Sequence, residues 1–133
     1  METRYEAMVR GTVAEIQRRL DDPPGFREVA DRAYLSPYPF HAIFRPMVGD
    51  SPRELVGRLR LERSAHRLLR TDRAVTDIAI EAGYDSQQAF AKAFQAEYGT
   101  TPTGFRSAGS SRPSLQSPSR VHFVDGGFTS FYL

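Results

Sequence analysis

Apolar residues recur along the first hundred positions at the three- and four-residue spacings typical of amphipathic helices. The inward face of a first predicted helix, over residues 5–20, consists of Val9, Val13, Ile16 and Leu20. A DDPPG segment ends this helix, because proline cannot continue one. A short helix to about Ala33 follows. The same periodicity continues to Arg106, so the sequence predicts an all-α body over residues 1–106.

Ser-Pro pairs at residues 36–37 and 51–52 predict where two of the next helices begin, since each places an N-cap residue before a first-turn proline. The second pair opens a long helix to about Arg70, which would span roughly 28 Å. Inside the other helix, Pro46 lacks the N–H that would bond the carbonyl of Ala42. We therefore expect a kink or a helix end at Pro46.

The body contains an internal repeat. One copy starts at Glu28 and reads EVADRAYLSPYPFHAIFRPMVGDSP, and the other starts at Asp77 and reads DIAIEAGYDSQQAFAKAFQAEYGTTP. In the second copy, Ser86 is the predicted N-cap of the longer helix and Gly99 its end. Each copy predicts a short helix, a tight turn and a capped longer helix, which is the pattern of a helix-turn-helix. The sequence thus predicts two helix-turn-helix subdomains joined by one long connecting helix.

The character of the chain changes after Arg106. Residues 107–119 are rich in Ser and Pro and are predicted to be a short linker. Residues 120–133 have two β-rich halves around an Asp-Gly-Gly turn, which favours a β-hairpin. We expect this hairpin either to begin a further C-terminal domain or to dock on the helical body.

Composition narrows the class of protein. The chain has 133 residues, of which 40% are hydrophobic and 26% charged, as in ordinary globular domains. It has no apolar run near the ~20 residues that span a bilayer and no signal-peptide pattern, so no membrane contact and a cytoplasmic location are expected. With no cysteine, no clustered metal ligands and no Gly-rich phosphate loop, neither an enzyme nor a metal or cofactor site is expected.

Arginine supplies nearly all of the positive charge, and the net charge is +2. An arginine face is predicted on the connecting helix from Arg60, Arg63, Arg67 and Arg70. This face is either a ridge that contacts DNA phosphates or a solvated surface with i,i+4 ion pairs such as Arg58 with Glu62.

The longer helix of the second copy offers a polar face opposite Phe90 and Phe94, and that face carries Gln87, Gln88, Lys92 and Gln95. Glutamine can pair with adenine through two hydrogen bonds, and lysine reaches guanine or phosphate oxygens. The same construction on the first copy turns Tyr38, Ala42 and Arg45 outward and places His41 at the edge of that face. An ordinary solvated helix face is the alternative interpretation in both copies.

The segment IAIEAGYDSQQAFAKAFQAEYGTTPTGFR closely resembles the signature of AraC/XylS-type transcription regulators, and the resemblance extends over both copies, about residues 5–106. It implies seven helices whose two recognition helices enter successive major grooves of DNA. It places base-reading contacts on Tyr38, His41, Ala42, Gln87, Gln88 and Lys92, beside candidate DNA-backbone contacts at Ser36, Arg45, Ser86 and Gln95. Ala42, Pro46 and Tyr34 depart from the family pattern, and the first two weaken the expected base reading by the first copy.

The resemblance implies a transcription regulator that binds double-stranded DNA, activates transcription and contacts RNA polymerase. It leaves the effector ligand and the operator open. The alternative is a non-enzymatic protein-interaction module in which DNA binding has degenerated.

Overall fold

The computed structural model describes residues 3–25, 27–28, 31, 37–109, 113–117 and 119–123, with only the backbone described at residues 37–39 and 41. Within these ranges the secondary structure is all-α, with no strand. The helices with both ends described are α1 (Arg4–Arg18), α2 (Pro37–Val48), α3 (Pro52–Arg70), α4 (Val75–Glu81), α5 (Gln87–Tyr98) and α6 (Pro102–Ala108). The predicted all-α class is confirmed.

The chain divides into two compact units. The first contains residues 1–57 and 116–133, and the second contains residues 58–115. Helix α3 begins in the first unit and continues in the second.

In the first unit, α1 packs against α2. A capping box opens α1, because Thr3 Oγ1 accepts from the backbone N–H of Glu6 while the Glu6 carboxylate accepts from the N–H of Thr3. The buried apolar residues of this unit are Val9, Val13, Ile16, Leu20, Phe40, Phe44, Val48, Leu55 and Val121. The first four are the residues that the sequence periodicity assigned to the inner face of the first helix.

In the second unit, aromatic rings of α5 and α6 form the centre of the core. The ring centroid of Phe94 lies 5.6 Å from Phe90, 4.5 Å from Tyr98 and 5.3 Å from Phe105. Buried aliphatic side chains from α3 and α4 surround these rings, including Leu61, Leu68 and Ile78. The packing fixes which face of α5 is turned away from the core.

The internal repeat is visible in the structure. Helices α2 and α5 have twelve residues each and end at glycines with positive φ, +89° at Gly49 and +74° at Gly99. The next helix in each copy begins with a proline, Pro52 or Pro102. Side-chain caps precede both prolines, since Ser51 Oγ accepts from Glu54 N–H and Thr101 Oγ1 accepts from Gly104 N–H.

Pro46 does not end α2. The helix continues two residues further to Val48, and Gly49 N–H still bonds the carbonyl of Arg45 at 2.7 Å. Phe44 and Val48 are fully buried on either side of the proline. Burial of this face therefore outweighs the one backbone hydrogen bond that Pro46 cannot make.

Other sequence predictions fall partly or wholly outside the described residues. Of the short helix expected near residue 33, only Arg27, Glu28 and Asp31 are described, and all three are helical. Ser36 and Tyr34 lie outside the described residues. Residues 120–123 are neither helix nor strand, and the remainder of the expected hairpin, residues 124–133, also lies outside.

Residues after the last helix pack within the first unit. Helix α6 continues to Ala108, two residues beyond the boundary expected at residue 106. In the first unit, Val121 is fully buried, and Gln17 Nε2 donates to the carbonyl of His122 at 3.5 Å.

In the described part of the chain, no helix is long and apolar enough to cross a membrane.

Candidate nucleic-acid interface

The turn between α4 and α5 sets the start of the second candidate recognition helix. Gly83 has φ +91°, and a Cβ built at this position would lie 2.8 Å from Nη1 of Arg60. The positive φ therefore disfavours a larger residue, while the Arg60 guanidinium lies at the end of a flexible side chain that can shift. The turn ends at Ser86, whose Oγ accepts from the N–H of Ala89 at 3.0 Å and caps α5 as predicted.

The outer face of α5 is polar and exposed. Phe90 and Phe94 are fully buried, and the exposed residues on the other side include Gln87, Gln88, Lys92 and Gln95. Ser86, Gln87, Gln88 and Ala91 line a shallow depression at the start of the helix. The predicted division of α5 into an inward and an outward face is confirmed.

One hydrogen bond joins this face to the preceding helix. Thr76 Oγ1, in the first turn of α4, donates to Oε1 of Gln87 at 2.7 Å. Because the amide oxygen of Gln87 accepts this bond, its Nε2 group is the part that presents donors outward. This contact could not be predicted from the sequence, since the two residues are eleven positions apart and the pairing depends on the α4–α5 turn.

The chemistry of the exposed face suits the major groove. Gln88 carries one acceptor and two donors, the combination that pairs with N6 and N7 of adenine. The ammonium of Lys92 offers only donors, which suit guanine O6 and N7 or a phosphate. The N-terminus of a twelve-residue helix adds backbone N–H donors near Ser86.

In the first copy, the side chains of the candidate face that the structure describes are those of Ala42 and Arg45. Ala42 is exposed and offers a methyl group, while Tyr38 and His41 lie on α2 with their side chains outside the described residues. The guanidinium of Arg45 pairs with the carboxylate of Glu54, whose Oε1 also accepts from the N–H of Ser51 at 3.0 Å. This backbone hydrogen bond and the charge of Arg45 lower the pKa of Glu54. Arg45 is thus exposed, but its guanidinium forms an ion pair with the Glu54 carboxylate.

Three arginines converge on Glu81 at the end of α4. Arg63 donates to the Glu81 carbonyl at 2.9 Å, Arg67 pairs with its carboxylate, and Arg73 Nη1 lies 2.8 Å from Oε2. Arg63 is buried. Two members of the predicted arginine face, Arg63 and Arg67, therefore pair with Glu81 within the fold, whereas Arg70 is exposed.

The predicted ion pair between Arg58 and Glu62 is present, with Nη1 3.1 Å from Oε2, but it is buried rather than solvated. Sequence reasoning missed both the burial of Glu62 and the role of Glu81. Helical periodicity identifies which residues share a face, but it does not show which other helix packs on that face.

Among the described residues, no cluster of three or more His, Asp or Glu side chains could hold a metal ion.

Comparison with known proteins identifies the fold that carries this face. A family model described as a helix-turn-helix domain matches residues 29–108, which include α2 to α6. The chain belongs to the AraC/XylS-type family of helix-turn-helix transcription regulators. It therefore contains the DNA-binding domain of this family.

Family relatives match most of this chain at modest identity. Regulatory protein SoxS of Escherichia coli K12 is 28% identical over 102 residues, which are 77% of this chain and 95% of SoxS. The HTH-type transcriptional regulator YbfP of Bacillus subtilis is 31% identical over 102 residues, but the match spans only 35% of that relative's length. The AraC/XylS-type domain can thus be nearly all of a relative or a part of it.

A solved structure of the family contains DNA. The DNA-binding domain of the global transcriptional factor AdpA, in complex with a target DNA, matches with a TM-score of 0.65 and 26% identity. The match covers 75% of this chain and 90% of the AdpA domain.

Proposed function

We propose that this chain binds specific sequences in duplex DNA and that α5 reads bases in a major groove. The observation that carries the proposal is the polar outer face of α5. Burial of Phe90 and Phe94 on the opposite side of the helix turns this face away from the core. Gln88 and Lys92 lie four residues apart on this face, which is about one helical turn. They can therefore contact neighbouring base pairs in one groove.

The residues of this face have distinct roles in the proposal. Gln88 pairs with adenine, and Lys92 donates to guanine or to a phosphate. Gln87, whose amide oxygen is bonded to Thr76, directs its Nε2 donors toward acceptors on a base or the backbone. Ser86, at the positive end of α5, and Gln95 hold the DNA backbone.

Helix α2 is proposed to read a second groove with fewer polar groups. Tyr38, His41 and Ala42 are its candidate base contacts, and Ser36 and Arg45 its candidate backbone contacts. Because these residues differ chemically from those of α5, the bound site should be asymmetric. The half read by α5 should show the stronger base preference, since Ala42 contributes only apolar contact.

The family and the DNA complex of the AdpA domain support a proposal for the biological role. We infer that the chain acts on promoters in the cytoplasm, activates transcription and contacts RNA polymerase there. The proposed role requires no catalysis, no metal ion and no bound cofactor.

Selection of bound duplexes from a random library, followed by gel-shift titration over a series of salt concentrations, tests the proposal. A recovered consensus that binds at least about a thousandfold more tightly than unrelated duplex would support it. Failure to enrich any sequence, with no salt-dependent shift of duplex DNA, would contradict it and would favour the protein-interaction module.

A further inference from the structure

A short segment beyond the matched family region contacts the second unit. The family match ends at residue 108, whereas Pro113 and Leu115 lie against α5 and α3. The phenol of Tyr98 donates to the carbonyl of Pro113, and the N–H of Leu115 donates to Oε2 of Glu62 at 3.2 Å. The Leu115 side chain packs on the core of the unit. We call residues 113–115 the strap.

The strap covers a buried carboxylate. Glu62 on α3 is fully buried, and its Oε2 also accepts from Arg58 Nη1 at 3.1 Å. A buried carboxylate is costly unless charged and polar partners satisfy it. The N–H of Leu115 is one of those partners, so the strap supplies a donor that the α3 helix cannot provide from its own backbone.

The other end of the strap holds the last residue of α5. The ring of Tyr98 stacks on Phe94, and its hydroxyl reaches Pro113. Burial raises the pKa of Tyr98, and the nearby carboxylates of Glu62 and Glu97 raise it further against the opposing effect of Arg58. The phenol therefore keeps its proton and acts as the donor to the Pro113 carbonyl.

We propose that the strap is a positioning element that fixes the C-terminal end of the reading helix α5 against α3. This inference rests on the proposed function of α5 in base reading. It extends the working DNA-binding domain beyond residue 108 to Leu115, the last residue of the second unit. Tyr98 and Leu115 are positioning residues, because they act on DNA through the orientation of α5.

Hydrogen–deuterium exchange of the full chain tests the structural part of the inference. Tyr98→Phe removes only the hydroxyl and keeps the stacked ring, while Leu115→Ala removes the apolar anchor. Ser114→Ala is the matched control, because Ser114 is exposed. We expect amide exchange over residues 94–99 to accelerate about two- to tenfold in Tyr98→Phe, the equivalent of one ordinary hydrogen bond, and to stay unchanged in the control.

DNA binding tests the positioning part. Tyr98→Phe and Leu115→Ala should each lose preference several-fold at base pairs that depend on Gln88 and Lys92, while preference in the other half of the site is retained. A uniform loss across the site, or unchanged exchange in Tyr98→Phe, would overturn the proposal. If Leu115→Ala fails to fold, Tyr98→Phe alone decides. If the wild-type chain binds no specific DNA, the proposed function fails, whereas the exchange rates still decide whether the strap holds α5.

Discussion

Thr76 Oγ1 donates a 2.7 Å hydrogen bond to Oε1 of Gln87, joining the first turn of α4 to the first turn of α5. Both residues are exposed, so the bond lies at the surface of the second helix-turn-helix unit rather than in its core. This hydrogen bond limits the orientations of the Gln87 amide in the DNA-free protein. An ordered side chain loses less conformational entropy on binding than one that must be fixed by the DNA.

Removal of the Thr76 hydroxyl should weaken specific DNA binding. Thr76→Val keeps the β-branched shape but cannot donate to Gln87, and we expect a loss of about 0.5–1.5 kcal/mol of binding free energy with little change in folding stability. Titration of the selected duplex by fluorescence anisotropy measures this loss. Thr103→Val, at an exposed position of α6, is the control, and equal affinities for both variants would show that the bond has no part in binding.

Truncation of the outer face of α5 should reduce specific affinity directly. Gln88→Ala and Lys92→Ala are each expected to cost about 1–3 kcal/mol if the lost contact is to a base. If Lys92 contacts a phosphate instead, its loss should lower the magnitude of the salt-dependence slope by about one. Gln116→Ala, an exposed glutamine outside the helices, should bind like the wild type. Wild-type affinity and preference in both α5 variants would remove α5 from base reading.

The core aromatic Phe94 should dominate the stability of the second unit. Its ring contacts Phe90, Tyr98 and Phe105, and Phe94→Ala should lower the free energy of unfolding by about 3–5 kcal/mol. DNA binding is then lost through unfolding. Urea denaturation followed by circular dichroism gives the value, and an unchanged midpoint would mean that the inward face of α5 has been misassigned.

Neutralising Glu81 should destabilise the α4 end of the same unit. In Glu81→Gln, three arginines lose the carboxylate on which they converge, and we expect a cost of about 1–3 kcal/mol. Asp77→Asn removes an exposed acid from the same helix and is the control. If the two variants have the same denaturation midpoint at low salt, the arginine cluster contributes nothing to folding.

Local signals in the sequence predict much of the fold. The repeat, the serine caps and the glycine helix ends act over a few residues, so local sequence predicts the positions of α3 and α5 and the inward Phe90 and Phe94. The helix end that Pro46 allowed does not occur, because its lost hydrogen bond is local while the burial that outweighs it is tertiary.

Contacts between distant residues could not be predicted in this way. The pairing of Arg63 with Glu81 joins positions eighteen residues apart, and the bond from Leu115 to Glu62 spans fifty-three. Composition predicted a short linker at residues 107–119, because Ser and Pro are common in linkers. The strap nevertheless packs, because the N–H of Leu115 bonds the buried carboxylate of Glu62 and the Leu115 side chain contacts the apolar core. The DNA contacts assigned to α2 and α5 remain predictions.

Base-resolved binding tests the central claim most directly. The wild type, Gln88→Ala and Lys92→Ala are titrated against every single-base substitution of the selected site. The account predicts an asymmetric site bound by one chain, with the largest penalties, about 1–3 kcal/mol each, in the half read by α5. In each variant, the penalties at one or two adjacent base pairs should disappear while the others remain. A palindromic site bound only by dimers, or identical penalties in all three proteins, would contradict it.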